Sequence, residues 1–291
     1  MRKLLLQLDT SPRPSVFDRI VAFDGGADEV MSYGGITDDI VRDLVHGAIF
    51  TRGPKDLHHT AIFIGGTDMA AGERILAAVL KSFFGPMRVS VMLDSNGSNT
   101  TAVAAVSKLE QACPGGSAAG RRAIVTAGTG PVGLRAAGLL ARAGAHVIIT
   151  SRRTADQNTI EGLQRRFGGS VRAATLADGS QAAAVLEGAE LLLNAGPAGV
   201  RLIPRDAWAG RAGLRAAADV NAVPPSGVEG IEATDSGVER DGVTVFGALG
   251  VGSLKMKIHK ACIARLFEQN DLVLDAETIV EVARTLAPPK P

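Results

Sequence analysis

A glycine-rich turn gives the clearest chemical signal in this sequence. It follows a short apolar run at 123–127 and precedes a helical pattern at 134–141. The turn consists of Gly128, Thr129, Gly130, Pro131, Val132 and Gly133. Free backbone N–H groups at such a helix N-terminus bind the pyrophosphate of a dinucleotide. In this pattern Gly128 permits the tight turn, Gly130 lets the pyrophosphate approach, and Gly133 lets helix and strand pack closely. With 35 glycines in the chain, it is the position between strand and helix that makes the dinucleotide prediction specific.

The residues that end the next apolar run, 146–150, indicate which dinucleotide binds. An NAD site usually has Asp or Glu at this point, where the carboxylate accepts hydrogen bonds from the ribose 2′-OH. This chain has Ser151, Arg152 and Arg153 instead. A hydroxyl and two guanidinium groups suit a 2′-phosphate, so we predict NADP as the cofactor. The alternative is that Arg152 and Arg153 are ordinary surface charges.

Composition limits the class of protein. The length of 291 residues suggests about two domains, and a hydrophobic content of 46% is enough for substantial cores. The net charge of +1 provides no global field for nucleic acid or a membrane surface, and no apolar run is long enough to span a bilayer. Cys113 and Cys262 form no metal or redox motif, so we expect reduced thiols in a cytoplasmic protein.

Strands and helices alternate along the chain, which predicts an α/β fold of two α/β domains around a cleft, one of them a Rossmann-type parallel-sheet NADP-binding domain. We expect a substrate domain at 1–114, completed by C-terminal helices within 253–291, and the dinucleotide domain at 115–252. In the first domain we predict strands at 3–9, 61–66 and 88–93, and helices at 15–22, 37–47 and 69–84. The polar turn at 94–101 opens a further helix that ends at about 113. In the second we predict strands at 123–127, 146–150, near 171, at 190–194, 214–220 and 243–246, with a helix near 181. Long helices are expected at 253–269 and 276–286.

Ligands of open parallel sheets bind at the carboxyl ends of the strands, so the candidate site residues are in loops. On the dinucleotide side these loops are the glycine turn, residues 151–153, Ala195-Gly196-Pro197 and Asn221. On the facing side they are residues 9–10, 51–53, 65–66 and 94–101.

No nucleophile or metal constellation stands out. His58 and His59 are adjacent, so their side chains should point apart, and we interpret them as surface residues. The lack of an obvious acid–base pair is compatible with a simple hydride transfer. Lys255 and His259 are four residues apart on one helix face, and a lysine at a helix start opposes the helix dipole, which hints at a use beyond solubility. The position of Asp18 fits a helix-capping or surface acid and a functional group equally well.

Several long segments resemble the NADP-dependent methylene-tetrahydromethanopterin dehydrogenases of methylotrophic bacteria, over nearly the whole length. They are PSVFD (14–18), YG (33–34), FTRG (50–53), TAIFIGGTDMAAGER (60–74), LDSNGSNTT (93–101), AGTGPVG (127–133), NAVPP (221–225) and FGALGVGSLKMK (246–257).

This resemblance implies an oxidoreductase that transfers a hydride from 5,10-methylene-tetrahydromethanopterin to NADP+, giving the methenyl form and NADPH in one-carbon metabolism. It implies Lys255 and Asp18 as catalytic residues, and a homo-oligomer such as a trimer or hexamer. The implied substrate contacts are Thr51, Arg52, Asp94, Ser98, Thr101 and Lys257.

Three other interpretations stay open. The carrier could be methylene-tetrahydrofolate, with or without cyclohydrolase activity, because pterin heads are shared and only the tail differs. The chain could be a non-catalytic NADPH-binding regulator on a retained fold. A shikimate-type dehydrogenase would need a lysine–aspartate pair, which Lys55 or Lys255 with Asp94 could imitate, but the matching segments oppose it.

Overall fold

The computed structural model describes residues 1–153 and 155–286 and divides into two compact α/β units. The first unit comprises residues 1–100 together with 256–291, and the second comprises residues 101–255. The predicted boundaries, after 114 and 252, differ from these because most of helix α4 (Ser98–Gln111) falls within the second unit. No helix among the described residues is both long and apolar enough to cross a membrane.

The first unit is built on a five-stranded, all-parallel sheet. Its strand order is β12-β4-β3-β1-β2, with bounds β1 Leu4–Asp9, β2 Glu29–Tyr33, β3 Thr60–Gly65, β4 Ser90–Leu93 and β12 Val273–Leu274. Its helices are α1 Val16–Asp24, α2 Asp38–Ile49, α3 Met69–Ser82 and α10 Ala276–Leu286. Strands β3 and β4 are buried along their whole length, as expected of central parallel strands.

The second unit is built on a seven-stranded sheet with the order β10-β11-β9-β8-β5-β6-β7. All neighbours are parallel except β10 and β11. The strands are β5 Arg122–Thr126, β6 His146–Ser151, β7 Ser170–Thr175, β8 Leu191–Asn194, β9 Ala216–Asp219, β10 Ser236–Arg240 and β11 Val243–Phe246. The helices are α5 Pro131–Arg142, α6 Gln157–Phe167, α7 Ala182–Val185 and α8 Arg205–Trp208. Helix α9, Ala248–Arg265, carries the chain from the second unit back to the first.

Side-chain caps explain where several of these helices begin. Ser15, Asp68 and Asp156 each accept a hydrogen bond from the backbone N–H three residues later, at the starts of α1, α3 and α6. Thr37 occupies the predicted cap position of α2, but its hydroxyl donates to Asp39 instead of accepting from the backbone.

Several elements differ from the sequence-based prediction. Strand β2 was not predicted, because it is a partly exposed edge strand with little apolar alternation. Strands β10 and β12 were also not predicted: β10 is an exposed edge strand and β12 has two residues. Helix α9 begins at Ala248 rather than at 253, so it includes Gly250 and Gly252.

The early start of α9 has a packing reason. A Cβ at Gly247 would lie 1.9 Å from the carbonyl oxygen of Glu232, and one at Gly250 would lie 2.0 Å from that of Asp235. The glycines therefore let the first turn of the helix pack directly on the backbone of residues 232–236. Lys255 consequently lies in the third turn of α9, and the expectation that it opposes the dipole at a helix start is wrong.

Candidate functional site

The glycine turn joins β5 to α5 at the carboxyl edge of the seven-stranded sheet, as predicted. Gly130 is the N-cap residue of α5 and Pro131 occupies the first turn, where its missing N–H leaves no helical hydrogen bond unmade. A Cβ at Gly130 would meet only the Ala127 carbonyl oxygen, at 3.3 Å. The helix N-terminus therefore stays open for an anion to approach its N–H groups.

The other two glycines of the motif are required by packing. A Cβ at Gly133 would lie 2.6 Å from the Ala127 oxygen and 2.7 Å from the Gly128 Cα, which agrees with the predicted close contact of helix and strand. A Cβ at Gly128 would lie 2.5 Å from the Ile149 Cβ on β6. The left-handed residue of the turn is Ala127, with a φ of 49°, so Gly128 serves packing rather than the tight turn assigned to it.

A pocket of about 410 Å³ lies beside this turn. It is lined by the turn, by Ser151 and Arg152, by Ala195 and Pro197 after β8, and by the apolar side chains of Leu176, Val200 and Leu202. A second, more open pocket of about 580 Å³ is lined by Thr129, Ser151, Arg152 and Arg153. The structure thus brings the predicted cofactor residues of three separate loops together.

The two arginines present charge to these pockets, whereas Ser151 shapes the loop. Arg152 and Arg153 are exposed and form no ion pair with any residue that the structure describes. The Ser151 hydroxyl donates a short hydrogen bond to the Arg153 carbonyl oxygen, which holds the turn after β6. The guanidinium groups are therefore available to a phosphate. The Ser151 hydroxyl was predicted to contact the 2′-phosphate, but in this structure it donates its hydrogen bond within the loop.

Three buried polar side chains connect the carboxyl ends of β5, β8 and β9, and sequence reasoning missed this chain of bonds. The Thr126 hydroxyl donates to Asn194 Oδ1 at 2.5 Å, and Asn194 Nδ2 donates to Asp219 Oδ1 at 2.7 Å. Asp219 also accepts from the backbone N–H groups of Asn221 and Val228. These bonds hold the strand ends beneath the cofactor loops in place. The sequence signal was a polar residue at the end of each of these three apolar runs, which are neighbours in the sheet but not successive in the chain.

The loop after β9 uses its predicted cofactor residue internally. Asn221 Nδ2 donates to the Pro225 carbonyl oxygen at 3.2 Å, and its Oδ1 accepts from the Val223 N–H at 3.0 Å. Asn221 is buried and both polar atoms of its amide are used within the loop. The structure therefore supports a role in shaping residues 221–225 rather than direct contact with a cofactor.

In the first unit, two carboxylates converge at the carboxyl end of β3. A Cβ at Gly65 would lie 3.4 Å from Asp9 Oδ2, 3.6 Å from Asp18 Oδ2 and 3.2 Å from the ring of Phe63. Asp9 is buried and accepts from the N–H groups of Ser11 and Ser15, so it anchors the start of α1. Asp18 is half-buried in the first turn of α1, which leaves its carboxylate partly accessible.

Asp94 and Ser98 are enclosed, which differs from their predicted roles as substrate contacts. Asp94 is fully buried and accepts from the Thr100 N–H at 2.9 Å and from the Thr100 hydroxyl at 2.6 Å. The Ser98 hydroxyl donates to the Ser95 carbonyl oxygen at 2.7 Å, and Ser98 is also buried. Burial raises the pKa of the Cys262 thiol far above its ordinary value, and the negative charge of Asp94 raises it further. Asp94 is thus an internal carboxyl group beneath the site.

A buried histidine lies against this carboxylate and was not predicted as a site residue. His259 on α9 has its Nδ1 3.9 Å from Asp94 Oδ2. Its ring stacks on Phe63 with centroids 5.5 Å apart and contacts Phe17 at 6.5 Å. Phe17, which precedes Asp18 on α1, exposes half of its surface. The only sequence signal was the spacing of four residues between Lys255 and His259.

Thr51 and Arg52 are not brought together with these residues. Arg52 donates to the carbonyl oxygens of His59, at 2.7 Å, and Arg2, at 3.1 Å. Those two residues precede β3 and β1, so Arg52 lies at the amino edge of the sheet, whereas Asp9 and Gly65 end the same strands. The expectation of a carboxyl-edge loop at 51–53 is therefore wrong, because the guanidinium closes the opposite edge.

The remaining predicted residues are distributed along α4 and α9. Thr101 is half-buried in α4, Lys255 is buried within α9, and Lys257 is exposed. The rings of His58 and His59 lie with their centroids 3.9 Å apart and tilted by 42°, in a 3-10 turn, rather than pointing apart. No group of three or more His, Cys, Asp or Glu side chains within the described ranges could hold a metal ion.

The parallel sheet, the glycine turn and the arginines after β6 define a Rossmann-type dinucleotide-binding protein. Residues 16–96 match the family model described as methylene-tetrahydromethanopterin dehydrogenase, N-terminal. The chain is 50% identical over 287 residues to the "Bifunctional protein MdtA" of Methylorubrum extorquens, covering 98% of this chain and 99% of that protein. It is 30% identical to the "NAD(P)-dependent methylenetetrahydromethanopterin dehydrogenase" of the same organism, covering 98% of this chain and 99% of that one. The chain belongs to the methylene-tetrahydromethanopterin dehydrogenase family.

Solved structures support the fold alone. Shikimate 5-dehydrogenase from Listeria monocytogenes, in complex with shikimate and NAD, aligns with a TM-score of 0.54 at 14% identity, covering 98% of this chain and 96% of that one. Ornithine carbamoyltransferase from Pyrococcus furiosus aligns with a TM-score of 0.56 at 13% identity, covering 90% and 84%. The fold therefore recurs among proteins with different names and low sequence identity.

Proposed function

We propose that this protein transfers a hydride from 5,10-methylene-tetrahydromethanopterin to NADP+, giving the 5,10-methenyl carrier and NADPH. The family membership supports the reaction. The observation that carries the cofactor assignment is the pair Arg152 and Arg153, which line the second, more open pocket and form no ion pair with a described acid. The hydride transfer requires no proton transfer, because the two carrier nitrogens beside the reacting carbon stabilise the cation that forms.

The pocket of the second unit fits an NADP molecule in three parts. The open N-terminus of α5 at Gly130 would bind the pyrophosphate, and the two guanidinium groups would bind the 2′-phosphate. Leu176, Val200 and Leu202 offer an apolar surface for the adenine ring. Bound NADP+ supplies the hydride acceptor, C4 of its nicotinamide ring.

The first unit supplies groups suited to a pterin head. The half-buried carboxylate of Asp18 would accept hydrogen bonds from pterin N–H groups or stabilise the positive charge of the product. The exposed ring of Phe17 offers an apolar face to a planar heterocycle. Asp18 is therefore proposed as the acidic residue of the carrier site.

Lys255 is proposed to orient the carrier rather than to take a proton. A cation next to a forming cation would oppose the oxidation, so a charged Lys255 is useful only when it is paired or neutral. Its burial within α9 is consistent with a fixed position. Such an orienting role affects turnover because hydride transfer requires the two reacting carbons at near-attack distance.

Absorbance at the NADPH band tests the proposal directly. Purified protein is mixed with NADP+ and methylene-tetrahydromethanopterin, with NAD+ and methylene-tetrahydrofolate in parallel. A rise with the methanopterin carrier and NADP+ is expected. A rise only with the folate carrier would reassign the substrate, and NADP binding without any turnover would favour a regulator.

The proposal extends to assembly and location. Val16, Ile20 and Phe23 share one face of α1 and are exposed, which supports a homo-oligomer that covers them. Light scattering would measure the subunit number, and Phe23→Asp is expected to reduce it. A cytoplasmic location without a nucleic-acid partner is proposed from the net charge of +1 and the two free, buried cysteines.

A further inference from the structure

Histidine 259 is fully buried between groups that belong to three different elements of the first unit. The ring stacks on Phe63 of β3, with an interplanar angle of 18° and centroids 5.5 Å apart. It also meets Phe17 of α1 at 6.5 Å, and Nδ1 is 3.9 Å from the Asp94 carboxylate at the end of β4. Both aromatic distances lie within the range at which ring pairs attract each other.

Two of these partners adjoin the carrier site proposed above. Phe63 reaches with its ring edge to within 3.2 Å of the position that a Gly65 Cβ would occupy, the point where the carboxylates of Asp9 and Asp18 converge. Phe17 is bonded to Asp18 in sequence and shares the first turn of α1 with it. A displacement of the His259 ring would therefore be transmitted to Phe17 and Asp18 through direct contacts.

The third partner has a different role. Asp94 has no exposed surface, and its oxygens accept two hydrogen bonds from Thr100. A buried carboxylate is costly unless polar groups surround it, and the imidazole edge adds another polar group on that side. The nitrogen side of the ring thus stabilises the fold, whereas the ring faces support the aromatic side chains.

We infer that His259 is a positioning residue for the carrier site: its ring holds Phe17, and with it Asp18, in place through the stack on Phe63. This inference rests on the proposed function for the identity of the carrier. The His259 side chain has two properties, an aromatic surface and a polar edge, and a substitution can remove each of them alone.

Two variants separate these properties. His259→Phe keeps the ring but loses the nitrogen beside Asp94, so it should lower the melting temperature and leave the KM for methylene-tetrahydromethanopterin near the wild-type value. His259→Gln keeps a polar group but loses the ring, so it should raise that KM about tenfold, the equivalent of one aromatic pair. The KM for NADP+ should stay within about twofold in both, because no cofactor residue is touched.

His46→Gln is the matched control, because His46 also contacts a phenylalanine, Phe50, at 5.2 Å in the same unit but on α2. It should leave both KM values unchanged. A merely structural His259 would alter stability in both variants and KM in neither. An unchanged carrier KM in His259→Gln, or an equal rise in His259→Phe, would overturn the inference.

Hydrogen exchange provides a readout that does not need turnover. Amides of residues 16–24 should exchange faster in His259→Gln than in the wild type, and at the wild-type rate in His259→Phe. If the wild-type protein turns over no methylene carrier, the proposed function fails while this comparison still tests the positioning role. Equal exchange in all three proteins would contradict it.

Discussion

At the scale of single residues, the choice between NADP and NAD depends on two exposed guanidinium groups. Arg152→Ala or Arg153→Ala should weaken NADP binding about 10- to 100-fold, because each removes a charge-assisted hydrogen bond to the 2′-phosphate. NAD binding should change little, since NAD lacks that phosphate. Calorimetric titration with both dinucleotides measures the ratio. Arg142→Ala, an exposed residue at the opposite end of α5, is the control, and equal losses for both cofactors would remove the assignment.

Lys255 is another residue whose role can be tested alone. Lys255→Ala should lower kcat about 10- to 100-fold with the affinity for NADP unchanged, because a misplaced carrier no longer meets the nicotinamide at the reacting distance. Steady-state kinetics with NADP+ and methylene-tetrahydromethanopterin provide the measurement. Lys260 is on the same helix as Lys255 and forms a surface ion pair with Asp24 of α1, so Lys260→Ala should leave kcat intact. Full turnover in Lys255→Ala would remove this lysine from the site.

At the scale of elements, the junction of β5 and α5 depends on the missing Cβ of one glycine. Gly133→Ala should destabilise the fold by about 1–3 kcal/mol, because the methyl group would meet backbone atoms of Ala127 and Gly128 that have no room to move. Gly162→Ala in α6 meets nothing within 4 Å and should stabilise by about 0.5–1 kcal/mol. Urea unfolding measures the free energy of unfolding of both variants. Similar changes in the two variants would mean that α5 can shift outward to make room for the methyl group.

The hydrogen bonds beneath the cofactor loops depend on Asp219. Asp219→Ala leaves the buried donors of Asn194, Asn221 and Val228 without their acceptor, which should cost at least about 3 kcal/mol. Asp206→Ala, at an exposed position in α8, should stay within about 0.5 kcal/mol. A similar small loss for Asp219→Ala in denaturant unfolding would show that water replaces the carboxylate.

The sequence predicted the elements whose signals are local. The apolar runs of β1, β3, β5 and β8 and the glycine turn were recognised because burial and turn chemistry appear within a few neighbouring residues. Asn194 and Asp219 are 25 residues apart, so their bond depends on strand order, which no local pattern contains. Arg52 was assigned to the wrong sheet edge for the same reason: its acceptors, Arg2 and His59, lie at the starts of two strands far apart in sequence.

At the scale of the whole molecule, acid stability should reflect carboxylates that are paired in the fold. Burial acts to raise the pKa of Asp235, but two hydrogen bonds from Arg240 and one from the Glu232 N–H outweigh it and hold this pKa below its ordinary value of 3.8. A lowered folded-state pKa stabilises the fold above the unfolded value, and this contribution is lost as pH falls through the folded value.

The urea midpoint should therefore fall between pH 5 and about pH 3 more steeply in the wild type than in Asp235→Asn. Asp206→Asn, without a described partner for its side chain, should retain the wild-type slope. Parallel curves for the wild type and Asp235→Asn would assign the acid sensitivity to other groups, such as Glu190, whose pKa Arg215 and Arg121 lower against the effect of burial.

The two cysteines lead to a practical consequence. Cys113 in the second unit and Cys262 in the first are both buried, and burial raises the pKa of each thiol above its ordinary value. Burial and the raised pKa both disfavour the thiolate that reacts with maleimides at neutral pH. A cysteine at Gly47 in α2 and another at Gly162 in α6, where a Cβ meets nothing within 4 Å, would be the reactive thiols. Dyes attached to this pair would label each unit at one chosen position, with both native cysteines left in place.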